Sequence, residues 1–156
     1  MHHRNEANVK VLTLGVACAV AAVAAVALAP LARADMHLGN YEMQIPARND
    51  FHTWVWMISA CASAGCVHVT AIPRPNAKAT DYKGDAQLAN GRYTLTVDDP
   101  DGLRCGDIYY GPTTTTHDTY SWDAASLVGS LDSSFPAGCS GEPAGTYTYP
   151  FTLSRM

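Results

Sequence analysis

The chain has 156 residues, of which 47% are hydrophobic, and a formal charge of −4 with histidine neutral. That length provides one domain with a modest core once a leader is set aside. The acidic balance argues against nucleic acid or an anionic membrane surface as the main partner, since both select clustered cations.

Residues 11–31 are almost wholly apolar, follow Arg4 and Lys10, and run into Ala32, Arg33 and Ala34 just before Asp35. A basic start, an apolar stretch and small residues at the cut predict a secretory signal over residues 1–34 and an exported domain over 35–156. The rival is an uncleaved anchor, because the run is long enough to cross a bilayer. Its many alanines contribute little insertion energy, and Pro30 breaks the helix where a cleavage region begins. Lipidation at Cys18 is disfavoured, since Gly15, Val16 and Ala17 supply no leucine-like residue. After cleavage, 13 acidic residues face seven Lys and Arg, which makes the exported part more acidic than the whole. No stable membrane span is expected in it.

Beyond the leader, helical periodicity is nearly absent and apolar/polar alternation recurs between turn-forming clusters. The expected fold is all-β: a single antiparallel β-sandwich or flattened β-barrel of about eight strands, stabilised by two disulfides. Strands are predicted at residues 41–45, 53–60, 66–72, 93–97 and 147–153, with others at 105–110, 119–123 and 126–131. Residues 73–90 read as a long connection with one short strand near 86–88. A Gly-x-Tyr start at Gly39, Gly91 and Gly145 reads as common strand-start chemistry rather than duplication.

Four cysteines follow the leader, and an even count in a small exported domain points to disulfides. Three pairings exist. The hairpin-sized loop between Cys61 and Cys66 favours Cys61–Cys66 with Cys105–Cys139. A zinc site from the same cysteines is the sharper alternative, but the spacing occurs once and lacks a second knuckle.

Placing Cys61 opposite Cys66 fixes the hairpin register. Ser59 then faces His68, Met57 faces Thr70 and Val55 faces Ile72 on the disulfide side. Trp54, Trp56, Ile58, Ala60, Val67, Val69 and Ala71 share the other side, which is apolar enough to be core rather than a sugar-stacking platform. Further on, Asp98, Asp99, Pro100, Asp101 and Gly102 read as a tight turn between two strands, with calcium binding as the weaker alternative. Trp122 should point inward with Tyr120. Pro150 interrupts the last strand, which must therefore be an edge or carry a bulge there.

The segments YSWDAASLVGSLD, GRYTLTVDDPDGLRC and GTYTYPFTLSRM together resemble small exported mycobacterial proteins of unknown function. The resemblance spans residues 39–156. It implies export and a disulfide-containing all-β domain, and carries no catalytic residue with it.

Candidate chemistry is sparse. Ser130 does not complete a Gly-x-Ser-x-Gly elbow. His117 and Asp118, following four threonines, form the best loop candidate for acid–base or binding work. A histidine metal site is opposed by parity, since His52 and His68 should face apart. No metal and no cofactor are expected. The reading is a non-catalytic binding protein of the envelope or extracellular space, its partner an unidentified protein or envelope ligand. Its candidate surface comprises Met57, His68 and Ile72 on the disulfide face, with His117 and Asp118. Two alternatives are a small hydrolase using His117 and Asp118, and a carrier of a small apolar ligand.

Overall fold

The computed structural model describes residues 35–46, 53–74, 79–106 and 111–156. Residues 1–34, for which a leader is expected, and His52 lie outside them. Eight strands follow in chain order: β1 (Gly39–Gln44), β2 (Thr53–Ala60), β3 (Cys66–Arg74), β4 (Tyr82–Ala89), β5 (Arg92–Arg104), β6 (Thr113–Asp123), β7 (Val128–Phe135) and β8 (Gly145–Arg155). Each pairs antiparallel with the next, and β8 returns to β1, closing a barrel. Closure leaves the sheet without a lateral edge, which is one way an all-β chain avoids pairing with its neighbours. Among the described residues no helix is long and apolar enough to cross a membrane.

The β2–β3 register places Ser59 opposite His68, Met57 opposite Thr70 and Val55 opposite Ile72, as the disulfide arithmetic requires. Both expected disulfides form, Cys61–Cys66 and Cys105–Cys139. Trp56, Ile58, Val67, Val69 and Ala71 are buried, and Trp54 packs half-buried against Tyr82 with ring centroids 5.0 Å apart. Ala60 departs from that list. It ends β2 at the rim and is exposed.

An eight-stranded barrel has an interior just wide enough for side chains to fill. Here aromatic rings fill much of it: Trp56 meets Tyr120 and Trp122 edge-on, both with centroids 5.2 Å apart, and Tyr93 stacks on Trp122. Small residues make room for them. A Cβ on Gly129 would stand 2.6 Å from the Phe151 ring, and one on Gly84 would stand 2.8 Å from Leu95.

Several predicted elements differ. Residues 98–102 do not join two strands; they lie inside β5, whose register with β6 shifts between Asp99 and Leu103. Strand alternation continues through the acidic run, so Asp98 faces out and Asp99 faces in. The loop expected before Asp118 is strand, because β6 already begins at Thr113. The short strand near residues 86–88 is the full β4, its alternation diluted by Gly84 and by exposed Lys83 and Asp85. The strand predicted at 105–110 is not found at Cys105 and Gly106, and residues 107–110 lie outside the description. Pro150 pairs opposite Ser130 inside a continuous β8. The β1 ladder reaches only Thr152, so the missing N–H costs no bond to β1.

The up-and-down order alternates connections between the barrel ends, and the two ends differ. At one end β2–β3, β4–β5 and β6–β7 are joined by five, two and four residues. At the other, the wholly described β7–β8 connection takes nine residues, and eight, seven and eight residues, some of them outside the description, separate the described strands β1 and β2, β3 and β4, and β5 and β6. The Cys105–Cys139 bridge joins two of these long connections. Beside the short turns, Met36 is buried in the core ahead of β1, and the Tyr41 hydroxyl donates to the His37 carbonyl at 2.7 Å.

Candidate functional site

Strand parity divides the polar residues near the long connections into an inner and an outer group. Inside, Asp99 lies opposite Thr116, and Asp118 lies opposite Ser133. All four are buried. The hydroxyls of Thr116 and Ser133 each donate to Asp118 Oδ1 at 2.6 Å, and the Tyr120 hydroxyl approaches Oδ2 at 3.4 Å. Short O–H···O⁻ bonds of this kind offset part of the cost of burying a carboxylate.

The network continues into the aromatic core. Trp56 Nε1 donates to the Tyr82 hydroxyl at 3.0 Å, and Tyr82 in turn bonds Tyr120. An indole N–H is thereby linked through two phenols to the Asp118 carboxylate. Tyr82 is held well above the ordinary phenol range, first by burial, then by the neighbouring Tyr120, with a smaller contribution from the charge of Asp99. Trp122 is different. Its buried Nε1 has no hydrogen-bond partner among the described residues.

Outside, Asp98, His117 and Ser134 stand in one row across β5, β6 and β7. His117 Nδ1 lies 2.8 Å from Asp98 Oδ1, and the Ser134 hydroxyl donates to the His117 carbonyl at 3.0 Å. The row lines an open depression of about 510 Å³ with Thr115, Phe135 and Pro136. Its residue types are those of a hydrolytic triad, but a triad needs the nucleophile bonded to the ring of its base. Here the serine proton goes to a backbone carbonyl. The same row recurs across β2, β3 and β4 as Ser59, His68 and Asp85, where His68 Nδ1 lies 2.5 Å from Asp85 Oδ1. Its recurrence marks both rows as cross-strand pairing on a wetted wall.

The predicted site residues therefore separate. His117 and Asp118 do not share a site: one side chain is outside and the other is in the core. Met57 is exposed and Ile72 half-buried on the outer wall, and His68 neighbours them in a pair with Asp85. Ser133 and Ser134 escaped the sequence reading, Thr116 entered it only as part of a loop before His117, and Asp98 and Asp99 only as part of a turn, whereas both lie on β5. One signal could have found Asp118's position, since the parity that turns Tyr120 and Trp122 inward also turns Asp118 inward.

A third grouping joins Cys61, Cys66 and Asp85, whose donor atoms all lie within 4.8 Å of one another beside the short turns. Both sulfurs are bonded to each other here. Comparison with protein families, with characterised proteins and with solved structures finds no match.

Proposed function

We propose that the protein is an exported, non-catalytic binding domain that recognises a protein or envelope ligand with the barrel end carrying the four long connections. The observation that carries this reading is the asymmetry of the ends, seven to nine residues per connection at one and two to five at the other. Hairpin loops commonly take about two to five residues, so one end carries longer connections than strand pairing needs, and binding residues concentrate on loops held by a rigid scaffold. The disulfide between two long connections supports the reading, since a cross-link lowers the entropy lost on binding. Tyr147 adds an aromatic contact residue there, 45% exposed and packed on Phe135. Export follows from the leader and agrees with the two disulfides.

The non-catalytic reading is supported by the separation of His117 from Asp118 and by the commitment of the Ser134 proton to a carbonyl. A carrier of apolar ligands is less well supported, because Trp56, Tyr120, Trp122 and Phe151 are buried and packed against one another inside the barrel. Co-sedimentation with isolated envelope material of an actinobacterial cell tests the proposal. Wild type should be retained, and Tyr147→Ala should be retained at least fivefold less, while Val128→Ala at the opposite end behaves as wild type. Equal retention of both variants with wild type would refute the assignment.

A further inference from the structure

The row of Asp98, His117 and Ser134 opens into the depression of about 510 Å³ at the barrel end with long connections. The polar atoms that reach this depression are mostly acceptors. In the His117–Asp98 pair only Nδ1 and Oδ1 meet, at 2.8 Å. With the neutral ring donating from Nδ1, its Nε2 is an acceptor, and Asp98 Oδ2 is a second. Ser134 gives its proton to the His117 carbonyl, which leaves its own oxygen as a third. The exposed Thr115 hydroxyl both donates and accepts. The side chains of His117 and Asp98 are 61% and 77% exposed, so a ligand reaches them without rearrangement.

This lining excludes most ligand classes. It contains no Lys or Arg, so nothing there neutralises a phosphate, sulfate or carboxylate. Phe135 and Pro136 form an apolar side next to the acceptors, and Phe135 continues to exposed Tyr147, with ring centroids 5.1 Å apart. A ligand that fits offers several hydroxyl donors on one edge, a C–H face on another, and no negative charge. Neutral sugars have that combination: vicinal hydroxyls donate to neighbouring acceptors while the ring face packs on aromatic and proline carbons. An isolated ammonium group would meet a carboxylate already paired with His117 and leave the apolar side unused.

We propose that the depression binds one residue of a neutral polysaccharide, with Asp98 Oδ2 and His117 Nε2 accepting its hydroxyl protons and Phe135, Pro136 and Tyr147 carrying the chain onto the barrel rim. The proposal rests on recognition at this end of the barrel and names the ligand class for it. The cross-strand pair contributes by holding both acceptors in fixed positions before the sugar arrives.

The test has two arms. In the first, the protein is passed over immobilised neutral polysaccharides (a mannan, a galactan, an arabinan and an α-glucan), with polygalacturonate as the anionic control. At least one neutral polymer should retain wild type, and polygalacturonate should not. On that polymer Asp98→Ala, His117→Ala and Tyr147→Ala should each be retained at least fivefold less with circular dichroism unchanged, while Asp85→Ala in the sibling row behaves as wild type. In the second arm, envelope material is treated with periodate, which cleaves vicinal diols, or with protease. Periodate should abolish retention of the protein and protease should leave it intact. Retention on no neutral polymer, equal retention on polygalacturonate, wild-type behaviour of both Asp98→Ala and His117→Ala, or envelope retention that survives periodate would each overturn the proposal. Retention that survives periodate, is lost to protease and is still weakened by Tyr147→Ala would leave recognition at this end standing with a protein as its ligand. No envelope retention of wild type would refute that recognition, and the polymer arm would still decide the sugar site.

Discussion

His117 and Asp118 are chain neighbours on opposite sides of the barrel wall. The His117 ring pairs with Asp98 in solvent, and the Asp118 carboxylate accepts hydrogen bonds from the Thr116 and Ser133 hydroxyls in the core. The two substitutions should therefore differ sharply. Asp118→Ala leaves two buried hydroxyls without their acceptor, and should cost about 3 kcal/mol in denaturant unfolding. His117→Ala removes one exposed pair and should cost under about 1 kcal/mol. Similar losses from both would contradict the inner and outer assignment.

Tyr82 makes stability sensitive to alkaline pH. Its folded-state phenol ionises well above the ordinary value of 10.0, chiefly because it is buried. Above pH 10 the unfolded chain loses this proton while the folded chain keeps it, so stability is intact below that pH and falls as pH rises beyond it. In Tyr82→Phe this part of the alkaline decline should disappear. The same variant strands Trp56 Nε1 and should lose about 1–2 kcal/mol at neutral pH. Stability measured against pH for both proteins checks the pair of effects.

Gly129→Ala should destabilise by about 1–3 kcal/mol, since the added methyl meets both the Phe151 ring and the Ser121 carbonyl at 2.6 Å. Combining it with Phe151→Leu should recover part of the loss. Full additivity of the two changes would show that the glycine is not there to admit the ring.

The two disulfides should contribute unequally. Cys105–Cys139 closes 34 residues and Cys61–Cys66 only five. On loop-closure entropy the longer bridge contributes about 1–2 kcal/mol more, and thermal unfolding of the two paired Cys→Ser variants measures the difference. It also ties two long connections, so its loss should weaken envelope retention as well.

Much of the fold is written in local pattern. A single assumption, Cys61 opposite Cys66, reproduces the whole β2–β3 register, because side-chain period is fixed at two. Turn chemistry misled where it conflicted with alternation. Pro100 and Gly102 read as a turn, yet Val97, Asp99 and their outward neighbours continue the strand, and the irregularity is absorbed as a register shift. The candidate site was less visible, because its polar core is assembled across β5, β6 and β7. Ser133 and Asp118 are 15 residues apart, and only the closed sheet sets them side by side. The unequal barrel ends were equally hidden, since they emerge only once the strands' true lengths are known.

The central claim is recognition at the end of the barrel with long connections. Photo-crosslinking tests it most directly, with a benzophenone side chain placed singly at Tyr147 and at Val128, both exposed and at opposite ends. In contact with the envelope material used for co-sedimentation, the protein should give a discrete adduct from position 147 and none from position 128. Adducts from position 128 alone, or equal adducts from both, would contradict the account.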